Sequence, residues 1–352
     1  MSHVTTPQII GTGLITLDIV ISPEIDAPLK AWTGGTCGNV LTILAYLGWR
    51  ATPLARINGD FASRRVIADM KRWGVDLDFI NCPPTTNTPI IIQEIRKIEG
   101  RAPSHHFIWK CPHCGHALPF FKPITKAVLP LIEPELKNCV VFFMDRLSRA
   151  ALDIASKVKE NGGVIFFEPS GKGDPKLFGE ALQLAHVVKY SDQRFPETLK
   201  IPANNILEIQ TLGEKGLRWR HQLAKQKSNW MHEAIVNAPI ITDSCGSGDW
   251  CSAGIIKKIC YGGIEQLKGC DEKELKDGIK YGQALAAWNC GFEGARGGMY
   301  ALPQKEDFNS AIEKLILGDY LPPVSSDMQF SESVPQIFCP LCEHSVPNFY
   351  LH

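Results

Sequence analysis

The 352-residue sequence predicts an α/β fold with a mostly parallel sheet, and three observations support this class. Short apolar runs such as Val140–Met144 and Val164–Phe167 have the length of buried strands. Amphipathic stretches that end at a glycine follow several of these runs and have the periodicity of helices. The two kinds of segment alternate along most of the chain, as they do where helices connect parallel strands.

The N-terminal part of the chain begins this alternation. Gln8–Gly13 predicts a strand, and a turn that contains Asp18 follows it. The glycine-rich loop Trp32–Asn39 then opens an amphipathic helix that ends at Gly48. A second strand and a second helix follow, and this helix ends at Gly74. Strand, helix, strand, helix is therefore the predicted order.

A pair of strands without a helix between them interrupts the pattern. Thr88–Ile95 and His105–Trp109 flank a turn at 99–101 and predict an antiparallel flap, or lid. The alternation then resumes. Its last helices are predicted at about 246–261, 272–290 and 304–316. The residues after Gly318 are polar and include prolines, which indicates an extended tail.

The composition narrows the class of function. Lysine and arginine total 37, as do aspartate and glutamate, so the formal net charge is zero. This balance argues against binding nucleic acid or an anionic membrane through bulk charge. No apolar run approaches the roughly 18 residues of a membrane span, and residues 1–8 lack the basic and apolar segments of a secretory signal. A cytoplasmic protein without nucleic-acid or membrane partners is therefore expected.

The most informative stretch places small residues in front of a helix. Gly246, Ser247 and Gly248 come directly before an apolar-periodic segment. Backbone N–H groups at a helix N-terminus are unpaired, and the helix dipole favours negative charge there. Because small residues let a phosphate approach the backbone closely, this turn predicts an anion hole for a phosphate.

Asp249 stands at the mouth of this predicted anion hole. A carboxylate there can accept the proton of an attacking hydroxyl while the N–H groups stabilise a transferring phosphoryl group. Because a helix N-terminus lowers the pKa of a carboxylate, we expect Asp249 to be ionised. The alternative is an aspartate that caps a helix after a glycine turn.

Four stretches of the sequence, at 34–39, 211–216, 243–249 and 284–294, combine glycines with polar residues in a fixed order along the chain. Together they resemble the motifs of the ribokinase-like (PfkB) sugar and nucleoside kinases. Asp243–Asp249 resembles the second signature of that family, and Gly34–Asn39 resembles part of its N-terminal signature. Thr211–Gly216 resembles its nucleotide-binding stretch, and Ala284–Gly294 resembles the helix and loop that flank adenine. The resemblance covers about residues 8–316 and implies a ribokinase-like three-layer sandwich with a small β lid.

The resemblance implies a role for each matching residue. Asp249 would be the catalytic base, and ATP with Mg²⁺ would supply the phosphoryl group. The anion hole would be Gly246, Ser247 and Gly248, the substrate-binding residues Asp18, Gly34, Gly35 and Asn39, and the nucleotide-binding residues Thr211, Gly213, Gly216 and Asn289. Asp243 would lie in a loop that often binds a monovalent cation. Judged from the residues alone, purely structural roles stay open. Asp18 could be a turn residue and Asn39 a helix cap. Thr211 could simply end a strand, and Asn289 could be a polar residue on a helix face.

Two positions depart from the family pattern. Ser191 and Arg194 stand where the Asn and Glu of an N-x-x-E stretch are common, and that stretch organises the magnesium–phosphate network. Asp192 could substitute, or water and phosphates could hold Mg²⁺, because this ion binds few protein ligands. Glu168 likewise stands at a strand end where Asp is common.

The chain has 12 cysteines, and two CxxC pairs among them are not explained by the resemblance. Cys111 and Cys114 form one pair, and Cys339 and Cys342 form the other. Two such turns supply the four thiolates of a tetrahedral ion, which predicts a closed, structural Zn²⁺ site. A redox dithiol or two unrelated thiol turns are the alternatives. We expect the zinc to tie the C-terminal tail to the insertion after the lid.

The predicted organisation is a kinase domain at 1–316 with lid strands at about 14–33 and 86–110, an insertion at 110–126 and a tail at 317–352. The expected activity is ATP-dependent phosphorylation of a hydroxyl on a small polyhydroxylated substrate, a sugar or sugar acid. A nucleoside kinase is the alternative among enzymes. A non-catalytic ligand-binding or adaptor protein, with the zinc knuckle as its partner surface, is the alternative from another class. Edge strands of the lid could pair two chains in a homodimer.

Overall fold

The structure is a computed structural model. It describes residues 6–21, 30–96, 104–202, 205–223 and 226–319, together with Cys339 and Cys342. The predicted turn at 99–101 and most of the predicted tail at 317–352 lie outside the described residues. Within the described ranges, no helix combines the length and the apolar character needed to cross a membrane.

The strands fall into two sheets. In chain order they are β1 (Gln8–Thr12), β2 (Thr16–Ile21), β3 (Lys30–Gly34), β4 (Arg50–Arg56), β5 (Ile80–Asn81), β6 (Ile90–Arg96), β7 (Ser104–Ile108), β8 (Cys139–Met144), β9 (Val164–Phe167), β10 (Val187–Ser191), β11 (Leu207–Thr211), β12 (Leu217–Leu223), β13 (Gln226–Lys227) and β14 (Met231–Glu233). The large sheet has the order β13-β12-β11-β10-β9-β8-β1-β4-β5, and β14 also pairs with β12. Strands β11 to β5 of this order are parallel, which confirms the predicted α/β class.

The helices connect these strands. In chain order they are α1 (Thr36–Tyr46), α2 (Phe61–Arg72), α3 (Leu129–Leu136), α4 (Arg149–Glu160), α5 (Pro175–Leu184), α6 (Ser247–Ile259), α7 (Gly263–Gly269), α8 (Glu272–Asn289), α9 (Gly297–Ala301) and α10 (Lys305–Leu317). The three predicted C-terminal helices are confirmed as α6, α8 and α10. Helix α7 was not predicted, because it is short and bounded by glycines.

Both faces of the large sheet are covered, and strand β8 shows how. Val141 and Phe143 belong to the core cluster that includes residues of α1, α6 and α8. Phe142 and Met144 belong to the cluster that includes residues of α4 and α5. Successive side chains of a strand point to opposite faces, so a continuous apolar run is what a strand between two helical layers requires. The layers are therefore helix, sheet, helix, as expected.

The small sheet is the predicted lid, with the order β3-β2-β6-β7. Strands β6 and β7 are antiparallel, as predicted, and β2 lies between β3 and β6. The prediction of a turn at Asp18 was wrong, because Asp18 lies within β2 and pairs opposite Trp32 and Ile91. Pairing on both sides of β2 outweighs the turn preference of aspartate. The edge strands are β3 and β7, and a homodimer through them stays a prediction.

The carboxyl edge of the large sheet has a topological switch point. The chain passes from β1 to β4 in one direction and from β8 to β9 in the other, so a crevice opens between β1 and β8. Acidic residues follow two of these strands, because Asp145 comes directly after β8 and Glu168 directly after β9. A Cβ at Gly13, after β1, would lie 1.6 Å from Asp145 Oδ1. Ligands bind at such points in parallel sheets.

Candidate active site

Gly246 shapes the turn that begins α6. Its backbone is left-handed, with φ 73° and ψ −2°, and a Cβ there would lie 2.3 Å from the carbonyl oxygen of Ala295. Only glycine fits both requirements. The first-turn N–H groups of α6, including those of Gly248 and Asp249, have no helical carbonyl to bind. The turn therefore has the backbone geometry of an anion hole, and the bound anion stays a prediction.

Asp249 lies half-buried in this first turn. Its Oδ2 accepts a hydrogen bond of 2.7 Å from Asn39 Nδ2 on α1. Burial, followed by the negative charge of Glu168, raises the pKa of Asp249 to about 7, against the opposing effects of Asn39 and Lys189. The expectation that the helix N-terminus lowers the pKa of this carboxylate was therefore wrong. Loss of solvent outweighs the helix dipole, so the carboxyl group of Asp249 titrates near neutral pH.

A buried ion pair lies directly beneath the anion hole. Lys189 Nζ on β10 donates to Glu168 Oε1 at 2.6 Å and to the carbonyl oxygen of Gly248 at 3.0 Å. Ser252 Oγ donates to Glu168 Oε2 at 2.5 Å. Burial lowers the pKa of Lys189, but the charge of Glu168 outweighs it and the pKa is raised. A charged ammonium therefore lies under the turn, and the sequence analysis assigned no role to Lys189.

The predicted substrate residues of the lid come together around Asp18. Its side chain is buried, and a Cβ at Gly34 would lie 1.8 Å from Asp18 Oδ2. Gly35, with φ 77°, directs its backbone N–H to the same carboxylate. Burial raises the pKa of Asp18 to about 6, although Thr16 and Gly35 bind it by hydrogen bonds. These contacts make a carboxylate cradle over two glycines, and hydroxyl binding by it stays a prediction.

Asn39 connects Asp249 to a buried arginine that sequence reasoning missed. Arg296 Nε donates to Asn39 Oδ1 at 3.1 Å, and Arg296 is fully buried. Because a guanidinium can only donate, this bond fixes the amide so that its NH₂ group faces Asp249. Asn39 was predicted to bind substrate, and in the structure its amide is hydrogen-bonded to Asp249. Direct contact of Asn39 with a substrate stays a prediction.

Arg296 is held in turn by Asp69 and by the lid. Its Nη2 donates to Asp69 Oδ2 and to the carbonyl oxygen of Thr33, both at 2.6 Å. Asp69 also accepts from the Thr33 N–H at 2.8 Å and from the Tyr300 hydroxyl at 2.5 Å. A continuous set of buried hydrogen bonds therefore runs from lid strand β3 through Arg296 and Asn39 to Asp249.

Asp243 and Asn289 hold the loop at 294–298 against the anion hole. Asp243 is fully buried, and its two oxygens accept from the N–H groups of Cys245 at 2.8 Å and Gly294 at 2.7 Å. Asn289 Nδ2 donates to the carbonyl oxygen of Ala295, and its Oδ1 accepts from the backbone of the same loop. Cation binding at Asp243 and nucleotide contact at Asn289 stay predictions.

The predicted nucleotide stretch forms the turn between β11 and β12. Thr211 ends β11 beside Ser191 of β10, so the turn begins one strand away from Lys189. Gly213 and Gly216 both have positive φ, and a Cβ at Gly216 would lie 2.2 Å from the carbonyl oxygen of Glu233. The glycines are therefore required by the turn itself. Their contact with a nucleotide stays a prediction.

The four predicted metal ligands meet at the lid. The sulfur atoms of Cys111, Cys114, Cys339 and Cys342 lie within 4.8 Å of one another. This was the only such group of histidine, cysteine and acidic ligands within the residues that the structure describes.

Solved structures share this architecture. Fructokinase with bound ATP from Xylella fastidiosa covers 88% of this chain and 98% of its own, with a TM-score of 0.64 and 16% identity. Aminoimidazole riboside kinase from Salmonella enterica, complexed with aminoimidazole riboside and an ATP analog, covers 87% and 99%, with a TM-score of 0.62 and 20% identity. Ribokinase from Giardia lamblia covers 87% and 100%, with a TM-score of 0.67 and 13% identity.

These similarities are structural. No protein-family model matches the sequence, and no curated protein matches it. The matched structures are covered over nearly their whole length, and they cover 87–88% of this chain. The chain therefore has a ribokinase-like fold.

Proposed function

We propose that this protein transfers the γ-phosphoryl group of ATP to a hydroxyl of a small polyhydroxylated molecule, a sugar or sugar acid. The observation that carries the proposal is the geometry of Asp249 at the anion hole. Its Oδ2 is held by Asn39, and its Oδ1 has no hydrogen-bond partner among the described residues. Structural neighbours that bind ATP, such as the fructokinase, support the choice of phosphoryl donor.

The chemistry follows from these contacts. Asp249 Oδ1 accepts the proton of the substrate hydroxyl as its oxygen forms a bond to the γ-phosphorus. The bond from that phosphorus to the β,γ-bridging oxygen breaks, and ADP leaves. The N–H groups at the start of α6, with Lys189 beneath them, stabilise negative charge on the transferring group. A base with a pKa near 7 suits this step, because it is partly ionised before the reaction and holds the proton afterwards.

Arg296 acts as a positioning residue in this proposal. It fixes the amide of Asn39, and Asn39 fixes the carboxylate of Asp249. Because Thr33 of β3 binds Arg296 and Asp69, movement of the lid would alter the position of the base. Lid closure, which excludes water from the transfer, is thereby connected to the orientation of the base.

Mg²⁺ bound with ATP would neutralise phosphate charge, and the nearby residues fit a site with few protein ligands. Arg194 is exposed at the position where a glutamate was expected, and Glu168 is bound by Lys189 and Ser252. Asp192 would bind a water of such an ion, and so would Asp145, although its oxygens already accept from the Leu14 N–H and from Arg146 Nη1. Burial raises the pKa of Asp145 to about 6, and a cation nearby would favour its ionised form.

A nucleoside kinase is the second candidate. Two structural neighbours are named for such substrates, the aminoimidazole riboside kinase and a nucleoside kinase from Methanocaldococcus jannaschii. A non-catalytic ligand-binding or adaptor protein remains the candidate from outside the enzymes. The ion pair beneath the anion hole and the half-buried base favour an enzyme, since binding alone requires neither.

ADP formation with a panel of sugars, sugar acids and nucleosides tests the proposal. We expect one chemical class to stimulate ADP formation and to become a phosphomonoester. If only nucleosides stimulate ADP formation, the protein is a nucleoside kinase and not a kinase of sugars or sugar acids. ATP binding without turnover on any member of the panel would contradict both and favour the adaptor.

A further inference from the structure

We propose that Cys111, Cys114, Cys339 and Cys342 bind one structural Zn²⁺ that fastens the C-terminal end of the chain to the lid. Cys111 and Cys342 are 231 residues apart in sequence, and their sulfur atoms are 3.7 Å apart. The sulfur atoms of Cys114 and Cys339 are 3.9 Å apart. The proposal is independent of the proposed transfer of phosphate.

The sulfur geometry suits a tetrahedral ion. Four thiolates at the zinc–sulfur distance of about 2.3 Å lie at the corners of a tetrahedron whose edges are about 3.8 Å. The sulfur distances between the two CxxC pairs, 3.7 Å for Cys111–Cys342 and 3.9 Å for Cys114–Cys339, bracket that edge. A disulfide would need about 2.05 Å between sulfurs. The separation is therefore that of ligands of one ion.

The first CxxC turn, Cys111–Cys114, is called the knuckle. It also provides hydrogen-bond donors for a thiolate. The backbone N–H groups of His113 and Cys114 are directed to the sulfur of Cys111. The Gly115 N–H bonds the Cys111 carbonyl at 2.9 Å, and Gly115 has φ 72°, which closes the tight turn. Hydrogen bonds from N–H groups stabilise a charged sulfur. Such a turn is built to hold Cys111 as a metal ligand.

Burial strengthens this assignment. Cys111, Cys339 and Cys342 are buried, and Cys114 is exposed at the rim. The three buried cysteines belong to the core cluster that also contains Leu118. Four thiolates complete the coordination of zinc, so the ion would have no open position for catalysis. The site is therefore structural.

The knuckle is an extension of the lid. Beyond β7, the Leu118 N–H bonds the Trp109 carbonyl at 2.9 Å, and Lys110 pairs with Ala117. The returning chain then bonds β6, since the Ile90 N–H donates to the Pro119 carbonyl at 3.1 Å. Ile90 pairs with Leu17 of β2, the neighbour of the carboxylate Asp18. The metal would thus stabilise the strands that carry the substrate cradle.

Metal content of the purified full chain is the direct test. We expect about one zinc per chain in the wild type, and none in the double variant Cys339→Ser/Cys342→Ser. The control is Cys82→Ser, which removes an exposed cysteine outside the cluster and should retain the metal. Wild-type protein without zinc, or a double variant that keeps it, would overturn the proposal.

A second measurement needs only the wild-type protein and therefore tests the proposal even if the double variant fails to fold. Wild-type protein stripped with a chelator and reconstituted with Co²⁺ should show an intense thiolate-to-cobalt charge-transfer band and tetrahedral ligand-field bands. Weak bands of octahedral cobalt would contradict four thiolate ligands. Intact mass after denaturation without reductant distinguishes the redox alternative, since two disulfides would remove four hydrogens from the chain.

Hydrogen exchange tests whether the bound metal fastens the C-terminal end of the chain to the lid; this fastening is called the clamp. Removal of the metal should accelerate amide exchange in β6 and β7, because the fastened segment no longer supports them. Exchange in α4, which lies on the opposite side of the large sheet, should stay unchanged and is the internal control. Equal exchange in β6 and β7 with and without metal would leave a metal site that does not act on the lid, which contradicts the clamp.

Discussion

The anion hole and the cysteine cluster are two sites formed in opposite ways. Gly246 to Asp249 are consecutive, so local helix rules place the backbone of the first site. The second site joins cysteines 231 residues apart, so only the complete fold assembles it. Strand β6 contacts both. Gln93 Oε1 accepts from Cys245 Sγ at 3.2 Å beside the anion hole, and Ile90 bonds Pro119 beside the knuckle.

This comparison shows what a motif does and does not supply. The glycine turn supplies backbone donors, but the charged side chains around it come from the residue after β9, from β10 and from the loop after α8. The CxxC pairs supply ligands, but their effect on the lid comes from the strands that follow. Substitutions at the anion hole should therefore act on catalysis, whereas loss of metal from the cysteine cluster should act on the lid.

The largest effect is expected at the base. Asp249→Asn should lower kcat by about 10²- to 10⁴-fold, because the amide cannot accept the hydroxyl proton. Steady-state kinetics with the accepted substrate measures this. Zinc content should stay at the wild-type level, which separates the two sites. A variant within threefold of wild-type kcat would exclude Asp249 as the base.

A loss of about 10²-fold in kcat is expected when the buried pair is removed. The double variant Lys189→Met/Glu168→Gln takes away both charges, so that no buried charge is left without its partner. The matched control is Lys258→Met, on the exposed last turn of α6. Equal kcat in the double variant and the control would show that the ammonium does not support the anion hole.

The pH profile of kcat/KM should have an acid limb. Asp249 must be unprotonated to act as a base, and its pKa is raised to about 7. Activity should therefore be lost as the pH falls through 7, about tenfold per unit well below that value, and should level above it. A profile that is flat between about pH 5 and pH 8 would contradict a base with this pKa.

Substitution of Arg296, the positioning residue, should have a smaller effect, which is a shift of the acid limb of the pH profile of kcat/KM. Arg296→Met frees the amide of Asn39, so the hydrogen bond that lowers the pKa of Asp249 weakens. The acid limb should shift to higher pH, with kcat reduced about tenfold. Asn39→Ala should act in the same direction, and the double variant should add little. An unshifted limb in both single variants would show that Arg296 supports only the fold.

The smallest kinetic effect is expected at the cysteine cluster. Metal removal should raise KM for the hydroxyl substrate severalfold and leave kcat nearly unchanged. The metal supports β6, which pairs with the strand that carries Asp18, whereas Asp249 is connected to the lid through Thr33 of β3. Initial rates over a range of substrate concentrations measure the two constants. A fall in kcat with unchanged KM would mean that the clamp reaches the anion hole through Gln93 instead.

Much of the fold is predictable from the sequence because its signals are local. Glycines and apolar periodicity give α6, α8 and α10, and the run at β8 shows a strand covered on both faces. Asp18 was misplaced because its turn preference is local, whereas the pairing of β2 with two other strands is not. The cysteine cluster could be predicted because two CxxC motifs are recognisable as a ligand set however far apart they lie in the sequence.

The buried charges of the site are harder to predict. Lys189 follows Val187 and Val188 in a strand, and a lysine in such a run requires an acidic partner, which is the signal that was available. Its partner Glu168 comes directly after another strand, β9, so the pair is visible only in the structure. Arg296 stands between small residues that make room for a guanidinium. The raised pKa of Asp249 depends on these neighbours and on burial, which local sequence does not report.

Transfer of the γ-phosphoryl group itself is the most direct test of the central claim. ATP carrying a label in its γ-phosphate is incubated with the accepted substrate and either wild-type protein or Asp249→Asn. We expect labelled phosphomonoester of the substrate with the wild type and almost none with the variant. Label found only in inorganic phosphate, or equal labelling of the substrate by both proteins, would contradict it.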